Sequence, residues 1–164
     1  MPSLVWSDAL SLSMPVMDAT HQVFVDLMAI VEQSDEASLL KNWQTLIDHT
    51  DAHFASEDQW MQDTGFAPGN CHSTQHAVVL KVLREGAARG AQGDLASIRQ
   101  IANELALWFP HHAQSMDLGL ALHLKNMGYD LETGTLASSA VLPVQAITGC
   151  GGACGTPTKD QALA

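Results

Sequence analysis

Three residue pairs in this chain carry chemistry at helical spacing: His53-x3-Glu57, His72-x3-His76 and His112-x4-Asp117, with His21 upstream as a seventh candidate. Together they offer five imidazoles and two carboxylates, enough donors for two metal ions. An α-helix turns once in about 3.6 residues, so side chains four apart point the same way and can converge on one ion. His53 with Glu57 and His72 with His76 meet that condition. His112 and Asp117 are five apart, roughly 140° around a helix axis, so they share a site only if the carboxylate reaches across to bridge two ions. Imidazole and carboxylate donors suit iron, zinc, copper or manganese, and ligand type alone does not choose among them.

Four stretches carry the apolar period needed to present these residues, separated by short loops rich in Gly, Pro or Asp. That pattern predicts an all-α fold, an antiparallel up-and-down four-helix bundle. The first helix is expected from about Asp18 to Gln33, with His21, Phe24, Val25, Met28 and Val31 on one face. The second is expected from about Glu36 to Thr64, its stripe running through Leu39, Trp43, Leu46, Ile47, Thr50, His53, Phe54, Glu57 and Met61. A lone Glu57 carboxylate inside an apolar stripe is costly unless it has a partner. Gly65 suits the end of this helix, and Pro68 with Asn70 the start of a third reaching Gly90. Gly93-Asp94 suits a turn and N-cap for a fourth, expected to continue from Leu95 through His112 towards Asn126 and Gly128. Pro110 falls inside this fourth helix, where it removes the bond to the Ala106 carbonyl and should kink it. Residues 1–130 thus form one domain, and residues 131–164, without period and with little to anchor them, are expected to be a flexible C-terminal extension.

The ordered set His21, His53-Phe54-x2-Glu57, His72-x3-His76, His112-x4-Asp117 resembles the hemerythrin family in its single-domain bacterial form, the bacteriohemerythrins. Trp6, Met17-Asp18-x2-His21-Gln22 and Gly65-Phe66-x-Pro68 add to the likeness, which runs from about Trp6 to about Tyr129. Single HxxxE or HxxxH pairs arise by chance among eight histidines, but seven positions in order do not. The resemblance implies two iron ions bridged by Glu57, Asp117 and a hydroxide or oxide. His72, His76 and His112 would hold one iron, and His21 and His53 the other. The second iron is then one ligand short, and dioxygen would bind reversibly at that vacancy. Leu105, Trp108, Phe109 and Ala113 are expected to line the oxygen pocket. Ala113 stands where the family commonly has a bulkier residue, a departure that bears on affinity and autoxidation.

On this reading the protein binds dioxygen for storage, delivery or buffering and is not an enzyme. Five neutral imidazoles favour the ferrous state more than the carboxylate-rich sets of di-iron oxygenases do, and no Glu-x-x-His pair of that class occurs. Two alternatives remain open: an oxygen or redox sensor acting through a partner, or a di-iron enzyme handling nitric oxide or peroxide.

Composition narrows the partners. Seven basic against eighteen acidic residues give a net charge of −11, which repels phosphate backbones and anionic lipid, so neither nucleic acid nor membrane is expected as a partner. The first seventeen residues hold no Lys or Arg and no long apolar run, and the chain is read as cytoplasmic. No protein partner is identified, and a monomer suffices for the site. The three cysteines are expected mostly as free thiols. Cys71 reads as a small packing residue. Cys150-x3-Cys154 has too few thiolates for an iron–sulfur cluster or closed zinc site, leaving a reversible disulfide between the two as the sharper possibility. His49, His111 and His123 fall outside the matched pattern.

Overall fold

A computed structural model describes residues 3–149. Four bundle helices follow one another: α1 (Pro15–Gln33), α2 (Glu36–Asp63), α3 (Cys71–Gly90) and a fourth in two halves, α4 (Leu95–His112) and α5 (Leu118–Met127). Successive helices pack on each other and α1 closes the ring against α4, the up-and-down order that short loops impose. No helix among the described residues is long and apolar enough to cross a membrane.

The helix ends follow local chemistry. α1 starts three residues before Asp18, because Pro15 at its first turn needs no amide partner. Asp18 instead ties down the incoming chain, accepting bonds from the Leu12 amide and the Ser11 hydroxyl, both at 2.7 Å. Asp35, Asn70 and Asp94 cap α2, α3 and α4 by accepting the amides of Ser38, Ser73 and Ser97.

Two apolar clusters fill the bundle on either side of the histidines. One gathers Phe24, Met28, Leu39, Trp43, Leu46, Leu83, Ile98, Leu105 and Phe109. Trp43 is fully buried and donates its indole N–H to the Leu83 carbonyl at 3.0 Å. The other cluster gathers Leu12, Met17, Met61, Phe66, Leu120, Leu124 and Tyr129.

The fourth helix departs from the expected single α-helix. Between His112 and Leu118 lies a π-turn, Ala113–Asp117, in which the Leu118 amide bonds the Ala113 carbonyl five residues back. Pro110 is accommodated within α4 upstream of it. A π-turn hydrogen-bonds residues five apart, so it stacks positions that an α-helix would rotate apart.

The segment after Tyr129 is also more anchored than expected. Its Ile147 donates to the Gly65 carbonyl (3.0 Å) and accepts from the Ala67 amide (2.8 Å), while Thr148 accepts from the Cys71 amide (2.8 Å). Leu131, Leu136 and Ile147 pack against the second cluster. Apolar residues too sparse to show a period still find the end of the bundle. Cys71 corrects the free-thiol and packing expectations, for it is disulfide-bonded. Cys150 and Cys154, expected as free thiols with a disulfide between them as the sharper alternative, lie outside the described residues.

Candidate metal centre

All seven candidate residues are buried and meet between the two clusters. His21 comes from α1, His53 and Glu57 from α2, and His72 and His76 from α3. His112 closes α4, and Asp117 ends the π-turn. Because of that turn, His112 and Asp117 face the same point, with Nε2 3.0 Å from Oδ1. The long arc expected of an α-helical spacing is not needed.

The two carboxylates divide their oxygens between two groups of histidines. Glu57 Oε1 lies 3.0 Å from His53 Nε2 and 3.9 Å from His21 Nε2, whereas its Oε2 lies 3.3 Å from His76 Nε2 and 3.5 Å from His72 Nε2. Asp117 repeats the division: Oδ2 is 3.2 Å from His21 Nε2, and Oδ1 is 3.0 Å from both His72 and His112. The donors therefore form a three-histidine and a two-histidine group joined by two carboxylate bridges.

Several facts fit this set to metal. His72 and His112 bring their Nε2 atoms within 3.2 Å, close to the roughly 3 Å edge of an octahedron with bonds of about 2.1 Å. His21 Nε2, His76 Nε2, Glu57 Oε2 and both Asp117 oxygens are buried without a hydrogen bond, a costly state that a bound cation relieves. On the three-histidine side two outward nitrogens are held: His76 Nδ1 meets Asp58 Oδ1 at 2.8 Å, and His112 Nδ1 meets Gln75 Oε1 at 3.2 Å, whereas His21 Nδ1 and His53 Nδ1 are buried without a hydrogen bond. Such contacts fix ring orientation and raise ligand basicity. Sequence spacing missed both supports. Asp58 and His76 sit 18 residues apart on different helices, so no local period links them.

Without metal, the cluster holds its own charges. Burial raises the pKa of Glu57, but His53, His21 and His72 outweigh it and hold the carboxyl well below its ordinary value. Asp117 is likewise held far down against burial and the Glu57 charge, by His112 and His21. Burial lowers His21, yet Asp117 and Glu57 push it up to about 9. His76 is raised despite burial, through Asp58 and Glu57. His112 is lowered, chiefly by burial, with Asp117 opposing.

The expected pocket residues divide between the two sides. Phe109 meets His21 edge-on at 5.2 Å, with Phe24 stacked on it at 4.5 Å, and Leu105 and Ala113 are buried in the same cluster. Trp108 stands elsewhere, stacked on His112 at 4.3 Å over the three-histidine group, because residues four apart share a helix face. Phe54 covers the same group, stacked on His76 at 3.9 Å. The other histidines stay outside. His49 contacts the Thr20 carbonyl, His123 contacts the Thr64 carbonyl, and His111 is exposed.

Comparison with known proteins agrees. A family profile described as "Hemerythrin HHE cation binding domain" matches residues 14–121. The chain is 38% identical to a bacteriohemerythrin of Ralstonia nicotianae over 130 residues, covering 79% of this chain and 95% of that protein. It is 25% identical to bacteriohemerythrins of Pseudomonas paraeruginosa, over 73% of this chain and 80% of that one, and of Stenotrophomonas maltophilia, over 76% and 84%. No solved structure matches. The profile spans all seven clustered residues, and with the relative from Ralstonia aligned over nearly its whole length, the chain belongs to the hemerythrin family.

Proposed function

We propose that this protein binds dioxygen reversibly at a di-iron centre, for storage, delivery or buffering. His72, His76 and His112 would hold one iron, His21 and His53 the other, with Glu57 and Asp117 bridging. The observation that carries the reading is the division of each carboxylate's oxygens between a three-histidine and a two-histidine group. When bound, a ferrous pair would supply two electrons to a small ligand.

The chain's residues supply the rest. Five neutral imidazoles against two carboxylates support binding over oxidative chemistry. Phe109 and Phe24, packed beside His21, give the two-histidine side an apolar wall. A cleft of about 90 Å³ between α1 and α2, lined by Val16, Met17, Thr20, His53, Ser56 and Trp60, reaches the same side from the surface and offers a small ligand a way in. Asp58 and Gln75 keep His76 and His112 turned inward.

The test is iron content together with anaerobic oxygen titration of the reduced chain. The expected result is about two irons per chain and a visible absorption change that reverses when oxygen is removed, with iron lowered in Glu57→Ala and His76→Ala. One iron per chain, or a single oxygen exposure that oxidises the protein without any reversible phase, overturns the proposal.

A further inference from the structure

Residues 130–148 lie beyond the span of the family match, which ends at residue 121, yet they form a strap tied to one end of the bundle. At its start the Tyr129 hydroxyl donates to Asp63 Oδ2 (2.6 Å) and the Ala137 amide to the Gly128 carbonyl (3.1 Å). Pro143 covers Gly65 so closely that a Cβ there would lie 2.6 Å from the proline Cδ. Ile147 pairs with Phe66 as a parallel bridge, donating to the Gly65 carbonyl and accepting from the Ala67 amide. The Thr148 carbonyl then accepts the amide of Cys71, the first residue of α3.

These bonds end beside one candidate ligand. His72 is the second residue of α3, whereas His76 lies a turn further along it and His53 and Glu57 lie well inside α2. The first amides of a helix have no partner four residues back, and helices open from their ends. In α3 the Asn70 side chain takes the Ser73 amide and the strap takes that of Cys71. The apolar cluster under the strap adjoins the bridging carboxylates as well. Met61 follows Glu57 by one helical turn, Leu120 follows Asp117 by three residues, and Leu131, Leu136 and Ile147 pack against the cluster that holds both.

We propose that the strap is a positioning brace: by closing the first turn of α3 it holds His72 at Asp117 Oδ1 (3.0 Å) and Glu57 Oε2 (3.5 Å) and so keeps metal in the three-histidine position. With the strap seated, opening that turn must break the bond to Thr148, which the Ile147 bonds and apolar contacts keep in place. With it unseated, the turn opens at the cost of its own bonds alone. The hold on metal rests on the di-iron reading; the hold on α3 does not.

The test uses the full chain, metal-free and iron-loaded, with Cys71→Ala in every arm so that the Cys71 disulfide contributes to none. Ile147→Pro deletes the amide that bonds Gly65, and Ile147→Asp sets a charge against the apolar cluster. Val144→Asp, at a fully exposed position of the same strap, is the control. In the metal-free chain, amide hydrogen exchange at residues 71–74 should quicken about tenfold in both Ile147 variants, while residues 43–57 of α2, and every segment of the control, stay within twofold. By NMR the ring nitrogens of His72 should shift or broaden while those of His21 and His53 stay, a selectivity that general destabilisation does not produce. Chelator extraction of iron should quicken by about tenfold. Exchange at residues 71–74 within twofold of the parent, an equal change in α2, or unmoved His72 signals each overturn the brace. A loosened α3 with iron extraction unaltered, in a chain that holds two irons, overturns its hold on metal. A loosened α3 in a chain that binds no iron pair refutes the di-iron reading and leaves the hold on α3 standing.

Discussion

Asp58 offers the sharpest test of how the protein supports its centre. Its carboxylate touches no proposed metal position, yet it holds His76 Nδ1 at 2.8 Å. Removing a partner of this kind costs on the order of 10- to 100-fold in metal affinity, or about 1.4–2.7 kcal/mol. Exposure sets where in that range the effect falls. The Asp58 side chain is 42% exposed while His76 is 1% exposed, so solvent screens much of the charge, and Asp58→Asn, which keeps an acceptor, should lose about tenfold. Asp58→Ala removes the acceptor as well and should lose several-fold more. Ferrous affinity is measured anaerobically by competition with a chromophoric chelator. A second readout separates orientation from general damage: in the metal-free chain Asp58 helps raise the His76 pKa against burial, so that titration, followed by NMR, should move down in Asp58→Asn. Affinity within twofold of the native chain in both variants, with His76 unmoved, would refute the argument that the contact positions the ring.

Three further outcomes follow from the same contacts. Ala113 is fully buried, so Ala113→Ile should slow autoxidation while overpacking costs about 1–3 kcal/mol, a melting shift of roughly 2–12 °C; an unchanged autoxidation rate with iron retained means that residue 113 does not bound the pocket. In the metal-free chain His21 titrates near 9 against an ordinary 6.5, so its stabilisation is complete below about pH 6.5 and is lost as pH rises towards 9. His76 acts in the same sense, and His112, lowered by burial, acts only below that window. The melting temperature of chelator-treated protein should therefore fall between pH 6.5 and 9, and a flat or rising profile contradicts the charge assignment. Trp43→Phe removes the bond to the Leu83 carbonyl and part of a fully buried ring; thermal unfolding should show a loss of about 2–4 kcal/mol, and a loss below 0.5 kcal/mol would mean that the cavity closes.

The sequence alone determined whatever depends on local periodicity. The apolar stripes gave four helices, and the four-residue spacings of His53 with Glu57 and His72 with His76 set those pairs on common faces, because helical geometry is dictated by the backbone and needs no neighbours. Asn70 and Asp94 were legible as caps for the same reason. Tertiary structure decided the rest. The π-turn that aligns His112 with Asp117 leaves no propensity signal and appears as an added residue in the turn. The Asp58–His76 contact joins two helices, and the placement of Trp108 over His112 rather than beside His21 depends on how α4 is rotated in the bundle. The bonds of Ile147 and Thr148 to Gly65, Ala67 and Cys71 bring together segments more than 70 residues apart in sequence, and contacts at that separation follow from packed surfaces, which no single-chain spacing encodes.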